Sequence, residues 1–155
     1  MMRTLPLACL FALSTTIITR GQSADIDVAA LTRGSNQVVI GTVVDATGRM
    51  GTNAYGDRLI FTDLRVDVSE TLKGDSRNVV VVTVEGGQAA GLTLKVSDMP
   101  TLKRGDRAVY FLVKGTPEWI PYARGRGVVR IDTTDHLDNT SLTLTDARTR
   151  ILGAR

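Results

Sequence analysis

Five residues constrain this chain more than any others: Leu64-Arg65-Val66-Asp67-Val68 alternate apolar and charged side chains. Successive side chains of a strand point to opposite faces, so this pattern makes one dry face and one wet face. It predicts a long strand from Arg58 to Val68. Ile60, Thr62, Leu64, Val66 and Val68 point inward, and Asp63, Arg65 and Asp67 are expected in solvent. The alternation stops at Ser69-Glu70, and Leu72-Lys73-Gly74 predicts a turn.

The rest of the chain is punctuated in the same way. Asp25 to Arg33 predicts a short helix, with Asp25 or Asp27 near its N-terminus. Gln37 to Val44 is apolar on both faces and reads as a central strand. Asp45 to Gly56, with Gly48, Gly51, Asn53 and Gly56, reads as a long polar connection. Further strands are predicted at Asn78–Glu85, Leu92–Val96, Arg107–Val113, Trp119–Ala123 and Gly127–Asp132, with a mobile Gly86–Gly91 loop among them. Thr143 to Leu152 predicts a helical turn at the C-terminus. Strands joined by turns, without helical crossovers, predict a mainly β domain with an antiparallel sheet, either a barrel or a sandwich.

Residues 1–24 differ in character from the remainder of the chain. Met1-Met2-Arg3 is a positive start, Leu5 to Ile18 is mostly apolar, and Thr19 to Ala24 is small or polar. This layout predicts a signal peptide over 1–24 cut after Ala24, with Gly21 and Ser23 as other ends, and a retained anchor as the alternative. The apolar run is shorter than the ~20 residues of a membrane-spanning helix. Cys9 precedes most of that run, too early for a lipidated cysteine. Residues 25–155 then form a single exported domain, periplasmic or extracellular. Cys9 is the sole cysteine, so the domain must rely on its apolar core rather than on disulfides. The leader carries Arg3 and Arg20 and no acid, which takes the formal charge from +3 to +1.

Four features stand in a fixed order: the short helix before Val38-Val39-Ile40-Gly41-Thr42-Val43-Val44, the long strand ending in Glu70-Thr71-Leu72-Lys73-Gly74, the Gly86-Gly87 loop, and the segment Pro100-x-Leu102-x-x-Gly105-Asp106-x-x-Val109-x-Phe111-Leu112. Together they resemble a group of exported bacterial domains that in turn look like the netrin-like module. That module is the OB-type barrel which also forms the inhibitory half of the tissue inhibitors of metalloproteinases. The resemblance spans residues 26 to 131. It implies a small closed antiparallel OB-like barrel of about six strands, with the N-terminal helix packed on it and a short C-terminal helical turn. The inhibitors bind zinc through an N-terminal cysteine. This domain starts near Asp25 and has none, so no inhibitory residue carries over.

The residues that bear chemistry are few. His136, the only histidine, lies in Asp132-Thr133-Thr134-Asp135-His136-Leu137-Asp138-Asn139. Asp132, Asp135 and Asp138 make a calcium candidate without EF-hand spacing, and the same residues form polar turns. One His without Cys is a poor start for a zinc site. A Ser-His-Asp arrangement lacks a Gly-x-Ser-x-Gly elbow. The Gly86–Gly91 loop lacks the phosphate-cradle pattern, and no cofactor is expected. Arg124-Gly125-Arg126-Gly127, with Tyr122 before it and Arg130 beyond, is the best basic cluster. With so few aromatics and so small a charge, it reads as solvated arginine and flexible glycine, not as a nucleic-acid groove. Trp119 reads equally as a ligand anchor or as a cap on the barrel end.

The sequence therefore predicts a non-enzymatic exported module that binds a protein or peptide partner, with accessory to or inhibitor of a secreted protease as its candidate roles. The contact loops are Asp45–Gly56, Gly86–Gly91 and Gly115–Arg126, because loops on a rigid scaffold carry recognition. The partner-binding candidates are Tyr55, Trp119, Tyr122, Arg124 and Arg126. The alternatives are a hydrolase using His136 with neighbouring carboxylates, or a purely structural envelope module.

Overall fold

The computed structural model describes residues 26–116 and 118–155. The leader at 1–24, with Cys9 and the cut after Ala24, lies outside the described residues. Helix α1 (Val28–Gly34) starts at Asp27, whose carboxylate accepts the Ala30 N–H at 2.9 Å and satisfies one free donor of the first turn. Its last carbonyls are met by side chains. The Lys73 Nζ donates to the Thr32 carbonyl at 2.7 Å, and the Ser35 hydroxyl donates to the Leu31 carbonyl.

Strands β1 (Gln37–Thr52) and β2 (Arg58–Lys73) form a hairpin with 16 residues in each arm. The predicted connection at Asp45–Gly56 is mostly strand, and only Asn53 to Asp57 turns the chain. The Asn53 side-chain oxygen holds that turn by accepting the N–H groups of Tyr55 and Asp57. Asp45–Thr52 shows no apolar period because it projects beyond the core. The backbone ladder to β2 and the Arg49–Asp63 ion pair keep it extended. β2 likewise runs on to Lys73 past the point where its alternation fails. Register shifts at Val38/Val39, Ile40/Gly41 and Val43/Asp45 break the two-residue period without ending the pairing.

Four more strands pair around this hairpin: β3 (Val79–Glu85), β6 (Arg107–Lys114), β7 (Trp119–Pro121) and β8 (Val128–Ile131). β2 pairs with β3, β3 touches β7, β7 pairs with β6, and β6 returns to β1, giving a ring-like sheet. β8 lies beside the first half of β6. All contacts are antiparallel except the single parallel pair Val82–Trp119. Gly86–Gly91 is not a loop throughout. β4 (Gly87–Ala89) pairs with β5 (Leu92–Leu94) across a two-residue turn, Ala90-Gly91, with φ of 51° and 76°. Positive φ at both positions is the hairpin-favouring geometry, and an alanine in the first of them hid it.

The C-terminal segment is more than a helical turn. Helix α2 (Leu144–Ala154) has 11 residues and a reciprocal cap in which Thr143 and Asp146 bond each other's backbone N–H. Leu144, Ala147 and Ile151 line its buried face. Arg148 clamps the helix to β2 through both Glu70 oxygens at 2.7–3.0 Å.

Two apolar cores result. Val39, Val43, Leu64, Val66, Val80, Val82, Val84, Ala108, Tyr110 and Leu112 fill the inside of the ring. On the outside, Val38, Ile40, Leu72, Val109 and Phe111 face Val28 and Leu31 of α1 and Ala147 and Ile151 of α2. Ile151 is fully buried, whereas its neighbour Leu152 is 40% exposed. Ile151→Ala should therefore destabilise the protein by about 2–5 kcal/mol. Leu152→Ala should stay within about 0.5 kcal/mol in the same denaturant titration.

Candidate functional site: a cleft at the open seam of the ring

The ladder between β2 and β3 dictates where the free edge of β3 points. Val68 N–H bonds Asn78 C=O and Gly86 N–H bonds Ile60 C=O, with no register shift between them. In such an antiparallel pair, backbone groups alternate in direction. The even-numbered residues of β3 therefore bond β2, and Val81, Thr83 and Glu85 turn their N–H and C=O groups away, towards β7. The parallel contact at Val82–Trp119 uses the Val81 carbonyl and the Thr83 N–H. The next rung needs an N–H at position 121. That residue is Pro121, which has none. The ladder stops there after one pair: the Thr83 carbonyl has no donor on β7 and the Glu85 carbonyl none in the chain that follows β7, while the Pro121 carbonyl still faces the Glu85 N–H.

A cleft of about 510 Å³ occupies this opening. Phe61, Met99, Ile120 and Pro121 supply apolar surface, and Arg49, Glu85, Glu118 and Arg124 supply charge. The tip of the β1–β2 hairpin adds Thr52, Asn53 and Ala54, and the chain between β6 and β7 adds Gly115 and Thr116. Two of the three predicted contact loops thus meet at one place. The third, at Gly86–Gly91, lies over a second cleft of about 380 Å³, with Leu64, Val84 and Leu102 beneath it.

Ion pairs stiffen the walls. Arg49 Nε donates to Asp63 at 2.6 Å, its guanidinium stands 5.6 Å from the Phe61 ring centre, and the Thr83 hydroxyl donates to Asp63 at 2.7 Å. Burial pushes the Asp63 carboxyl up, but the hydrogen bonds from Arg49 and Thr83, with the Arg49 charge, outweigh it and hold it below its ordinary range. Asp63 was expected in solvent with Arg65 and Asp67. It is instead a half-buried strut, because the projecting β1 arm brings Arg49 across it. Arg124 reaches Asp98 at 2.6 Å and Glu85 at 2.8 Å. Ala123 and Arg124 both take positive φ, 52° and 58°, and a Cβ on Gly125 would collide with the Asp98 carbonyl. The Arg124–Gly127 segment is a one-turn 3₁₀ helix whose two arginines are exposed to solvent, with Arg124 held to Asp98 and Glu85.

The other predicted residues scatter. Tyr55 is 91% exposed at the hairpin tip, beside the lining residues Asn53 and Ala54. Trp119 is half-buried against the ring interior, with the Arg77 guanidinium 5.4 Å from its ring. Tyr122 packs on the outer core, where a Cβ at Gly34 would overlap its ring. Arg126 is exposed and makes no ion pair among the described residues. Asp132 accepts the N–H groups of His136 and Thr134 and the Thr134 hydroxyl, which hold its carboxyl low. Asp135 pairs with Arg107 at 2.9 Å and Asp138 lies 3.7 Å from Arg130. The calcium candidate therefore does not assemble, and no three His, Cys, Asp or Glu side chains among the described residues converge to hold a metal. His136 contacts Thr134 within its own turn.

Sequence reasoning missed Phe61, Asp63, Glu85 and Met99, and it included Arg49, Glu118, Ile120 and Pro121 only as unnamed members of the predicted contact loops. A proline inside a predicted strand was the one visible signal. Among the described residues no helix is long and apolar enough to cross a membrane. No protein-family model matches the chain, and no curated protein matches it.

The Asp63 strut has a pH signature. A carboxyl whose folded pKa is depressed stabilises the fold above its unfolded value, here 3.8, and loses that contribution as pH falls through the folded value. Asp63→Asn should therefore be less stable than the parent at pH 7. The difference should begin to shrink as pH falls below 3.8 and close only at lower pH, once the folded parent carboxyl is itself protonated, in parallel thermal melts.

Proposed function

We propose that this protein is an exported, non-enzymatic binding module that takes an extended segment of a protein or peptide partner in the seam cleft. The observation that carries this reading is the end of the β3–β7 ladder after the single pair Val82–Trp119, which leaves the Thr83 and Glu85 carbonyls without a donor on the wall of that cleft. Two backbone acceptors in a row beside apolar surface suit an extended backbone better than a small rigid ligand. We also read the ring as an OB-type barrel of the netrin-like kind, closed at Val82–Trp119 and open beyond it. Export is inferred from the leader pattern at residues 1–24, and a role beside a secreted protease from the resemblance.

A photo-crosslinking side chain at Thr52, in the cleft lining, should yield one discrete protein adduct in the producing cell. Ile120→Arg, which fills the cleft, should suppress that adduct. The same probe at Thr149, on the exposed side of α2, should yield none. Equal labelling from both positions, or none from Thr52, would contradict the reading.

A further inference from the structure

Resting on the binding reading above, we infer that the seam cleft and the second cleft form one binding track. The bound segment carries a large apolar side chain across Met99 into the second cleft, onto Leu64, Val84 and Leu102.

The two clefts lie on opposite faces of the same pair of strands. Phe61 of β2 and Thr83 of β3 line the seam cleft, whereas Thr62 and Leu64 of β2 and Val84 of β3 line the second. Side chains one residue apart on a strand point to opposite faces. The seam cleft is therefore outside the ring, and the second stands at the mouth of its interior, where Leu64 and Val84 belong to the inner core. Among the described residues, Glu85 and Met99 line both clefts. The clefts meet around the end of β3, beyond the one pair that joins it to β7.

Met99 is the movable part of that boundary. Its backbone is held from both sides. Pro100 keeps it out of the helical region, and its N–H bonds the Val96 carbonyl at 3.2 Å. Asp98 before it is tied to Arg124 at 2.6 Å and packed against Gly125. The Met99 side chain itself is half-buried against the inner core. An unbranched thioether with three rotatable bonds can swing aside and pack on a guest without any shift of backbone. The β4–β5 roof of the second cleft is more rigid, because the Thr62 hydroxyl bonds the Gly86 carbonyl at 2.7 Å and a Cβ on Gly48 would strike the Gln88 carbonyl.

The second cleft suits an apolar guest. Its floor of Leu64, Val84 and Leu102 is buried core, and Leu94 and Val96 add apolar surface above it. Thr62 is spent on Gly86, and Glu85 is paired with Arg124 at 2.8 Å. Lys95 is exposed. A charged or amide side chain at the floor would lose its water without gaining a partner. Leucine, isoleucine or phenylalanine would gain by burial there, and a cleft of about 380 Å³ has room for one of them.

Selection of a displayed library of linear ten-residue peptides on the full protein tests the proposal. Enriched peptides should share one large apolar residue, and its replacement by alanine should weaken the best peptide roughly tenfold or more. Met99→Trp, which obstructs the passage without changing charge, should weaken that peptide to a similar degree and leave its alanine form unaffected. A photo-crosslinking side chain at Thr101, in the exposed lining of the second cleft, should label the best peptide as the probe at Thr52 does. Labelling from Thr52 alone, or an affinity indifferent to the alanine replacement, would overturn this inference and leave the binding reading standing. No enrichment, or enrichment of peptides that Ile120→Arg does not displace, would count against both.

Discussion

Burial of β1 and β6 on both faces is the constraint on which the rest of this structure depends. Val39 and Val43 of β1 enter the ring, and Val38 and Ile40 face the helices. β6 does the same with Ala108, Tyr110 and Leu112 on one face and Val109 and Phe111 on the other. The ring interior is a core of sheet residues alone, whereas α1 and α2 bury their apolar faces only against the outer side of the same two strands. A chain without disulfides has this shared wall as its main source of stability. The buried Tyr110 hydroxyl is the one side-chain polar atom in the described core without a hydrogen-bond partner, and burial pushes that phenol up.

The same wall explains why the opening lies where it does. β1 and β6 are paired over most of their buried length, so the ring is tight on that side. On the opposite side, closure depends on a three-residue strand that meets β3 at one pair and then runs into a proline. The ion pairs around the gap, Arg49–Asp63 and Arg124–Asp98/Glu85, fix its walls in position. Rigid walls lower the entropy cost of ordering a partner segment between them.

How much of this was readable in the sequence depended on whether a local period recorded it. The Arg58–Val68 alternation gave β2 its faces, and Asp27 marked the start of α1. The long projection of β1 left no trace, because Asp45–Thr52 is held by pairing and by Arg49, not by burial of an apolar stripe. α2 presented only Leu144, Ala147 and Ile151 as apolar anchors, too sparse to distinguish a full helix from a turn. The Ala90-Gly91 hairpin was hidden by an alanine in a left-handed position. Of the candidate site, Tyr55 and Arg124 were in view, but the cleft itself was not. It is built from β1, β2, β3 and β7, and the missing rung at Pro121 has meaning only once the register of Val82 against Trp119 is known.

The central claim is that the ring is open beyond Val82–Trp119. Residue-by-residue amide hydrogen exchange in the protein without added peptide tests it most directly. Val82 and Val84, bonded to β2, and Thr83, bonded to Trp119, should exchange slowly, while Glu85, which faces only the Pro121 carbonyl beyond the last rung of the ladder, should exchange faster. A Glu85 amide as protected as that of Val84 would mean that this edge is already satisfied, and the account of an open seam would be contradicted.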